Sequence, residues 1–146
     1  MEICRAKRIS DGQWIEGNLI KLETDRSGAD YVYYIIPEKT FGCWCKSGDA
    51  LKFISPCYDV YSKTICQYIG VRDRNDRKIF KGDIVRREVF GNVILGEVVW
   101  FDVGFCGFYL KYKNEYYPMG KDEHTGKSND EVIGNVYDNP KLCKKY

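Results

Sequence analysis

The stretch QYIGVRDRNDRKIFKGDIV, residues 67–85, alternates short apolar runs with tight, charged turns. It predicts a strand at ICQYIGV, a turn at DRND, a short strand at KIF, and a turn at Lys81-Gly82-Asp83 that leads into IVRREVF. Asn, Asp and Gly supply the left-handed and Asx-type conformations that such turns need. Backbone geometry therefore explains the aspartates and glycines, and only the excess of arginine and lysine remains available for function.

The residues after this stretch predict a meander of short strands. Gly91-Asn92 matches a two-residue hairpin loop between IVRREVF and VILGEVVWF, and FCGFYLKY and EYYPM continue the meander. The polar loop GKDEHTGKSND is expected to be a mobile tip. Gly134 inside the closing strand EVIGNVY predicts a bulge or corner, and Asn139-Pro140 ends the sheet. Residues 66–146 are therefore predicted to form a small SH3-like barrel.

The first part of the chain predicts two β-hairpins. Asp11-Gly12 suits the turn of the first, and the loop DRSGAD at residues 25–30 leads into the strand YVYYII, which Pro37 ends. Residues 38–65 show no sustained period, so short strands and a single helical turn are both tenable there. We predict a mostly β fold, with an N-terminal β-hairpin lobe at residues 1–65 packed on the C-terminal barrel at residues 66–146.

Composition limits the environment of the protein. The 146 residues are 44% hydrophobic and 15% aromatic, enough to close a core, and the net charge is only +2. The seven cysteines, an odd number with no secretory segment before them, predict reduced thiols in a cytoplasm. No apolar run approaches the roughly 18–20 residues of a membrane-spanning helix. A membrane partner is therefore not expected.

Two motifs carry a resemblance to a known family. The sequences YIGVRDRNDRKIFKGDIV at residues 68–85 and VIGNVYDNPKL at residues 132–142 are similar to those of the YopX-like proteins of bacteriophages and prophages, and DGQWIEGNL is similar to the start of that family. Where the family usually has Asn-Gly in the central turn, this chain has Asn75-Asp76. Asp tolerates positive φ better than most residues, so the turn is expected to persist. The resemblance implies a mostly β, self-associating phage or prophage protein, and it brings no catalytic residue.

Three groups of residues invite a metal or catalytic interpretation. Cys43-Trp44-Cys45 offers thiolates, with Cys57 and Cys66 to complete a zinc set, but a Cys-X-Cys spacing on a strand does not curl around an ion. The only histidine, His124, lies in the polar loop, a poor setting for a general base. Turn formation explains the aspartates among residues 73–83 better than a metal site does. We therefore predict no enzyme activity, no metal and no cofactor.

The charged residues between 72 and 87 form the one candidate nucleic-acid surface. Seven basic and three acidic residues give this segment a net charge of +4, whereas the rest of the chain carries −2. Phe80 is the only aromatic residue within the run, and interleaved aromatics are typical of single-strand binding. A solvated face is therefore the favoured interpretation of the set. Its members are Arg72, Arg74, Arg77, Lys78, Lys81, Arg86 and Arg87.

The tyrosines suggest a different partner, a second copy of the chain. The chain has 12 tyrosines, more than one small core can hide, and Tyr is favoured at interfaces. The candidates are Tyr31, Tyr33, Tyr34, Tyr109, Tyr112, Tyr116 and Tyr117. We predict a non-enzymatic, self-associating protein that binds a host or phage protein, with nucleic-acid binding as the alternative.

Overall fold

Strands dominate the computed structural model, which describes residues 2–24, 27–28, 30–39, 43–47, 50–54, 56–102 and 106–144. The strands are β1 (Ile3–Lys7), β2 (Trp14–Glu23), β3 (Tyr31–Pro37), β4 (Cys43–Ser47), β5 (Ala50–Ile54), β6 (Tyr58–Asp59), β7 (Cys66–Arg72), β8 (Lys78–Phe80), β9 (Asp83–Val89), β10 (Asn92–Phe101), β11 (Gly107–Tyr112), β12 (Glu115–Pro118) and β13 (Glu131–Asn135). A 3₁₀ turn (Ser62–Thr64) and a short helix, α1 (Pro140–Lys144), complete the described elements. The prediction of a mostly β fold is confirmed.

The first of two compact units spans Met1–Gln67 and contains both predicted hairpins. β1 pairs with β2 from Lys7 opposite Trp14, across a turn in which Gly12 has φ 70°. β2 pairs with β3 from Glu23 opposite Tyr31, and β6 adds to the far side of β3. The core of this unit is formed by Ala6, Ile35 and Val60, against which Ile15, Leu19, Tyr33 and Ile65 pack.

Residues 38–65 contain both kinds of element that the sequence left open. β4 and β5 form an antiparallel pair, β6 is a two-residue strand, and Ser62–Thr64 makes one 3₁₀ turn. The Thr64 hydroxyl joins the 3₁₀ turn to β1, because it accepts a hydrogen bond from the Lys7 backbone N–H at 2.9 Å. Short elements of this kind have no long period, which is why the sequence pattern did not separate them.

The second unit, Tyr68–Tyr146, is built on a five-stranded antiparallel sheet with the strand order β12-β11-β10-β9-β13. Tyr68 and Arg72 of β7 pair with β8 within the same unit. Alternation along the strands places one side-chain row in the core. That core contains Val71, Ile79, Val85, Ile94, Val98, Leu110 and Val132, and Ile69, Val89, Phe108, Tyr112, Tyr117 and Met119 pack against it.

Turn chemistry in this unit follows the sequence at three points. Asp76 has φ 66°, so an aspartate occupies the turn position where the resembled family has glycine. Gly82 has φ 86° in the turn before β9. The pairing of β13 with β9 shifts register between Val132 and Gly134, which confirms the predicted bulge.

The loop of the β9–β10 hairpin differs from the prediction by one residue. Val89 pairs with Asn92, so the two-residue loop is Phe90-Gly91 and the expected Gly91-Asn92 loop is wrong. Phe90 has φ 49° and Gly91 has φ 78°, the pair of positive angles of a type I′ turn. The register of the whole hairpin, which seats Ile94 and Val85 in the core, overrides the local preference of the turn residues.

The polar loop before β13 is held by hydrogen bonds of its own. Asp122 Oδ1 accepts the N–H groups of His124 (2.8 Å) and Thr125 (3.0 Å), and these bonds lower the pKa of the Asp122 carboxyl. Further along, Ser128 and Asp130 are buried. The loop therefore contains buried anchor points that its polar sequence does not suggest.

Three predictions about architecture stay predictions: the boundary after residue 65, the packing of one lobe on the other, and closure into an SH3-like barrel. In the described sheet, β12 and β13 are the two edge strands. Among the described residues, no helix has the length and apolar character needed to cross a membrane.

Candidate functional site

The central turn at residues 73–76 is built around a fully buried carboxylate. Asp73 Oδ1 accepts the backbone N–H groups of Asn75 and Arg77, both at 2.9 Å, and Asp73 Oδ2 accepts that of Val132 at 3.0 Å. The last bond joins the two motifs that carry the family resemblance. Asp73 therefore serves the backbone, and its oxygens are occupied.

Asp83, the other buried aspartate of the central stretch, plays a similar part in the next turn. Its Oδ2 accepts the Phe80 N–H at 2.8 Å, while the Gly82 N–H donates to Val98 and the Val136 N–H donates to Gly82. This turn thus holds β10 and the residue after β13 in place. Among the described residues, no group of three His, Cys, Asp or Glu side chains is arranged to hold a metal.

Arg87 belongs to the predicted basic set, but it forms an ion pair inside the protein. Its Nε and Nη2 donate to the two oxygens of buried Asp130 at 2.7 and 2.6 Å, a bidentate arrangement. Nη1 donates to the Pro118 carbonyl at 3.0 Å, and Nη2 lies 3.3 Å from Met119 Sδ. The guanidinium ties β9 to the end of β12 and to the loop before β13.

Three further members of the set also contact their own chain. Arg72 Nη1 donates to the Asp76 carbonyl at 2.8 Å, and Arg77 Nη1 donates to the Val132 carbonyl at 3.4 Å. The Lys78 ammonium lies 6.0 Å from the centre of the Tyr68 ring. These side chains help to hold turns and strand edges, although contacts with neutral groups leave their positive charges in place.

The remaining three basic residues do not share one surface. Arg74 and Lys81 are exposed on different turns. Arg86 is half-buried and faces the side of β9 opposite to Arg87, because successive residues of a strand alternate. Burial raises the pKa of Glu97, and the positive charges of Lys111 and Lys81 partly oppose this rise. The charge of Lys81 therefore interacts with the Glu97 carboxylate. The structure thus divides the segment 72–87 between several environments.

One of these basic residues lines a cleft, which we call the Phe90 cleft. It has a volume of about 520 Å³ and lies at the tip of the β9–β10 hairpin. Its lining residues are Arg74, Arg87, Glu88, Phe90, Gly91, Asn129 and Asp130. Phe90 is 98% exposed. Sequence reasoning missed Phe90, and the signal was an aromatic residue directly before Gly91 at a hairpin tip.

The cysteines and the histidine occupy unreactive or exposed positions. Burial, followed by the charges of Glu2 and Cys66, raises the pKa of Cys4 to about 12, so its thiol stays protonated. Cys66 is also buried, whereas Cys57 and Cys106 are exposed. His124 is exposed. The side chains of Cys43-Trp44-Cys45 and of Cys143 lie outside the part of the chain that the structure describes.

The tyrosines divide into core and surface residues. Tyr33 packs on the core of the first unit, and Tyr112 and Tyr117 pack on that of the second. Tyr31 and Tyr116 are partly exposed. The predicted interface set is therefore reduced by the tyrosines that serve the cores.

Tyr116 belongs to an aromatic patch on one face of the second sheet. The Phe101 ring lies 4.5 Å from the Tyr116 ring and 5.7 Å from the Tyr109 ring, measured between centroids. Tyr116 is 39% exposed and lies on the edge strand β12. We call Phe101, Tyr109 and Tyr116 the aromatic patch.

The chain was compared with solved structures, curated sequences and family models. It resembles the crystal structure of protein EF1440 from Enterococcus faecalis with a TM-score of 0.58 at 21% identity, over 98% of each chain, and this similarity concerns the fold alone. A comparison with curated protein sequences finds no match. The family model described as YopX protein matches residues 5–144, nearly the whole length. The chain therefore belongs to the YopX protein family.

Proposed function

We propose that this YopX family protein is a non-enzymatic binding protein that associates with copies of itself through the aromatic patch. The observation that carries the proposal is the position of Tyr116, a partly exposed aromatic residue on an edge strand. An edge strand that carries exposed aromatic side chains is a favourable place for contact between chains. We further propose that the protein is cytoplasmic, is of phage or prophage origin, and binds a host or phage protein.

The backbone of β12 adds to this argument. Hydrogen-bonded and non-hydrogen-bonded pairs alternate along an antiparallel ladder, and the Met119 N–H donates to the Phe108 carbonyl at 3.1 Å. By that alternation the N–H and C=O of Tyr116 point away from β11. They offer a second copy one pair of hydrogen bonds beside the aromatic rings.

The size of the patch sets the strength of the expected contact. Aromatic side chains bury about 150–250 Å² each, whereas a specific interface buries about 800 Å² per partner. The three rings are already partly buried, so they supply the centre of an interface and not its full area. We therefore expect association in the micromolar range, with twofold symmetry.

The non-enzymatic part of the proposal rests on how reactive groups are used. The oxygens of Asp73 accept backbone N–H groups, and burial keeps the Cys4 thiol protonated. A general base or nucleophile needs a group that is free to exchange a proton with a substrate. These groups are better suited to holding turns and filling the core.

The experiment is sedimentation velocity of the full chain over a range of micromolar concentrations. We expect a concentration-dependent oligomer that Tyr116→Glu converts to monomer, because the substitution places a charge in the aromatic patch. Tyr61→Glu is the matched control, since Tyr61 is 48% exposed in the first unit and lies outside the patch. A monomer at all concentrations, or equal effects of both substitutions, would reject self-association through this patch.

A second candidate function is nucleic-acid binding, which one observation favours. The basic run lacks the interleaved aromatic residues that are typical of single-strand binding. The fold places one beside it, because exposed Phe90 lines the same cleft as Arg74. Arg74 is the exposed member of the predicted basic surface that lines this cleft, whereas Arg87 is paired with Asp130. Binding to single-stranded DNA or RNA that weakens steeply with salt is the expected signature, and no salt-sensitive binding to either would reject it.

A further inference from the structure

We propose that the Phe90 cleft is a nucleotide site, in which a base stacks on the Phe90 ring and its phosphate contacts the Arg74 guanidinium. The ligand class is a planar base with an attached phosphate, either free or as part of a single strand. The inference deepens the second candidate function, and it is independent of self-association through the aromatic patch.

Both the backbone conformation and the solvent exposure of Phe90 are unfavourable for a phenylalanine. It is an aromatic residue at φ 49°, in a type I′ turn position where Asn, Asp and Gly are preferred. It is also 98% exposed, so the ring gains nothing from burial. Strained backbone positions concentrate at functional sites. A ring presented in this way has its face available for stacking.

Hydrogen bonds within the chain position part of the cleft lining. Arg87 and Asp130, which both line the cleft, form a bidentate pair, and the Asp130 N–H donates to the Ser128 hydroxyl at 3.1 Å. The Arg74 N–H donates to the Asp130 carbonyl at 2.9 Å, which joins the backbone of Arg74 to the same residue. A site that is ordered in advance loses less entropy on binding.

The rim carries the polar groups that a nucleotide needs. Arg74 is exposed and presents a guanidinium, which binds phosphate in a bidentate manner. Asn129 is exposed and offers both an amide acceptor and donors for the edge of a base. The volume of about 520 Å³ lies within the range of about 300–1,000 Å³ for small-molecule sites.

The charges of the lining restrict the ligand further. Asp130 neutralises Arg87, so Arg74 and Glu88 remain as opposite charges on the rim. A phosphate is therefore favoured beside Arg74 and opposed beside Glu88, whose carboxylate suits an amino group of a base. A duplex, with phosphates along both strands, does not match this distribution. A single nucleotide or the end of a single strand does.

The test compares ligands and variants of the full-length chain. The probes are 5′-AMP, 5′-UMP, a fluorescein-labelled oligo-dT, a labelled oligo-rU and a labelled duplex, with titration calorimetry for the mononucleotides and anisotropy for the polymers. Phe90→Asn removes the ring and leaves a residue that the type I′ turn prefers, so folding is expected to be retained. Arg74→Gln removes the phosphate contact. Lys121→Gln is the charge-matched control, because Lys121 is exposed and lies outside both the cleft lining and the predicted basic set.

We expect the single strands to bind and the duplex to bind more weakly. Phe90→Asn should weaken binding roughly 5- to 150-fold, the range for one base stacked on an aromatic ring. Arg74→Gln should weaken binding and lower the salt slope by about one, whereas Lys121→Gln should leave both unchanged. Binding of mononucleotides as well would identify free nucleotides as ligands, and binding of polymers alone would identify a single strand.

Other outcomes would overturn the inference in distinguishable ways. If the wild-type chain binds nucleic acid with salt sensitivity and Phe90→Asn binds equally well, the second candidate function stands but this site is wrong. If none of the probes binds, both are wrong. If Phe90→Asn changes only the sedimentation of the chain, Phe90 is a protein contact and not a stacking platform.

Discussion

The two edges of the five-stranded sheet differ in how their backbone groups are satisfied. At the β13 edge, the Val132 N–H donates to Asp73 at 3.0 Å and the Val132 carbonyl accepts from Arg77 at 3.4 Å. At the β12 edge, the backbone of Tyr116 points outward beside exposed aromatic surface. The chain thus caps one edge with charged side chains, and the other edge is the one that we propose for self-association.

This difference gives part of the charge of the central stretch a structural role. Asp73 and Arg77 complete the hydrogen bonds of a strand edge that would otherwise be exposed. Open edges invite pairing with other chains, and natural sheets protect most of them. The charged turn is therefore part of the architecture, and the proposed self-association uses the opposite edge.

Removal of the β13 cap is expected to have the largest effect. Asp73→Ala would leave three backbone N–H groups without their acceptor, of which the Val132 bond is buried and those of Asn75 and Arg77 are partly buried, and hydrogen bonds to charged groups contribute about 1.5–3 kcal/mol each. We expect a loss of about 4 kcal/mol in the free energy of unfolding, measured by urea denaturation. Asp73→Asn retains one acceptor oxygen and should lose less. Equal stability of Asp73→Ala and wild type would contradict the capping role.

The next largest effect is expected at Arg87, which holds the end of β12. Arg87→Met keeps much of the apolar stem but leaves buried Asp130 without its partner, and breaking such a pair costs about 3 kcal/mol. The double variant Arg87→Met/Asp130→Leu should recover part of this loss, because no buried charge remains. Thermal and urea unfolding of the single and double variants measure the coupling. No recovery in the double variant would argue against a buried-charge penalty.

Hydrogen exchange compares the two edges directly. The Val132 amide should be protected at all protein concentrations, because Asp73 accepts its hydrogen bond within the chain. The Tyr116 amide should exchange rapidly in the monomer and slow about tenfold, equivalent to about 1.4 kcal/mol, as association proceeds. NMR exchange at low and high concentration gives both values. A Tyr116 amide that is equally protected at both would show that β12 is not the contact edge.

The smallest effect is expected in the turn that carries the cap. Asp76 has φ 66°, a conformation that glycine adopts without strain. Asp76→Gly should therefore raise the free energy of unfolding by up to about 1 kcal/mol. Two effects reduce this gain: the greater backbone entropy of glycine in the unfolded chain and the loss of the exposed ion pair with Lys127. Urea denaturation would measure it, with Asn75→Gly as the control. A destabilisation greater than that of Asn75→Gly would mean that the Asp76 side chain matters more than its backbone angle.

Local features of the fold were predictable from the residues themselves. The positive φ of Asp76, the turn at Gly82 and the bulge at Gly134 follow from what each residue allows its own backbone. The hairpins around Asp11-Gly12 and residues 25–30 follow from turn residues between β-prone runs. These predictions needed only neighbours within the chain.

Features that depend on distant partners were not predictable. The Phe90-Gly91 loop was placed one residue too late because hairpin register is decided by which side chains reach the core. Arg87 appeared to be a surface cation because Asp130 lies 43 residues away in sequence. The helix α1 was missed since five residues give almost no periodic signal.

The sequence by itself determined the fold class, the turns and the family, because β-propensity and turn chemistry act between neighbouring residues. Tertiary structure alone decided which charges are buried, which sheet edge is capped and which aromatic residues reach the surface. Those outcomes depend on solvent access and on pairing between strands far apart in the chain. The structural contacts of the charged stretch therefore include Val132 and Asp130, which no local pattern in residues 67–85 reveals.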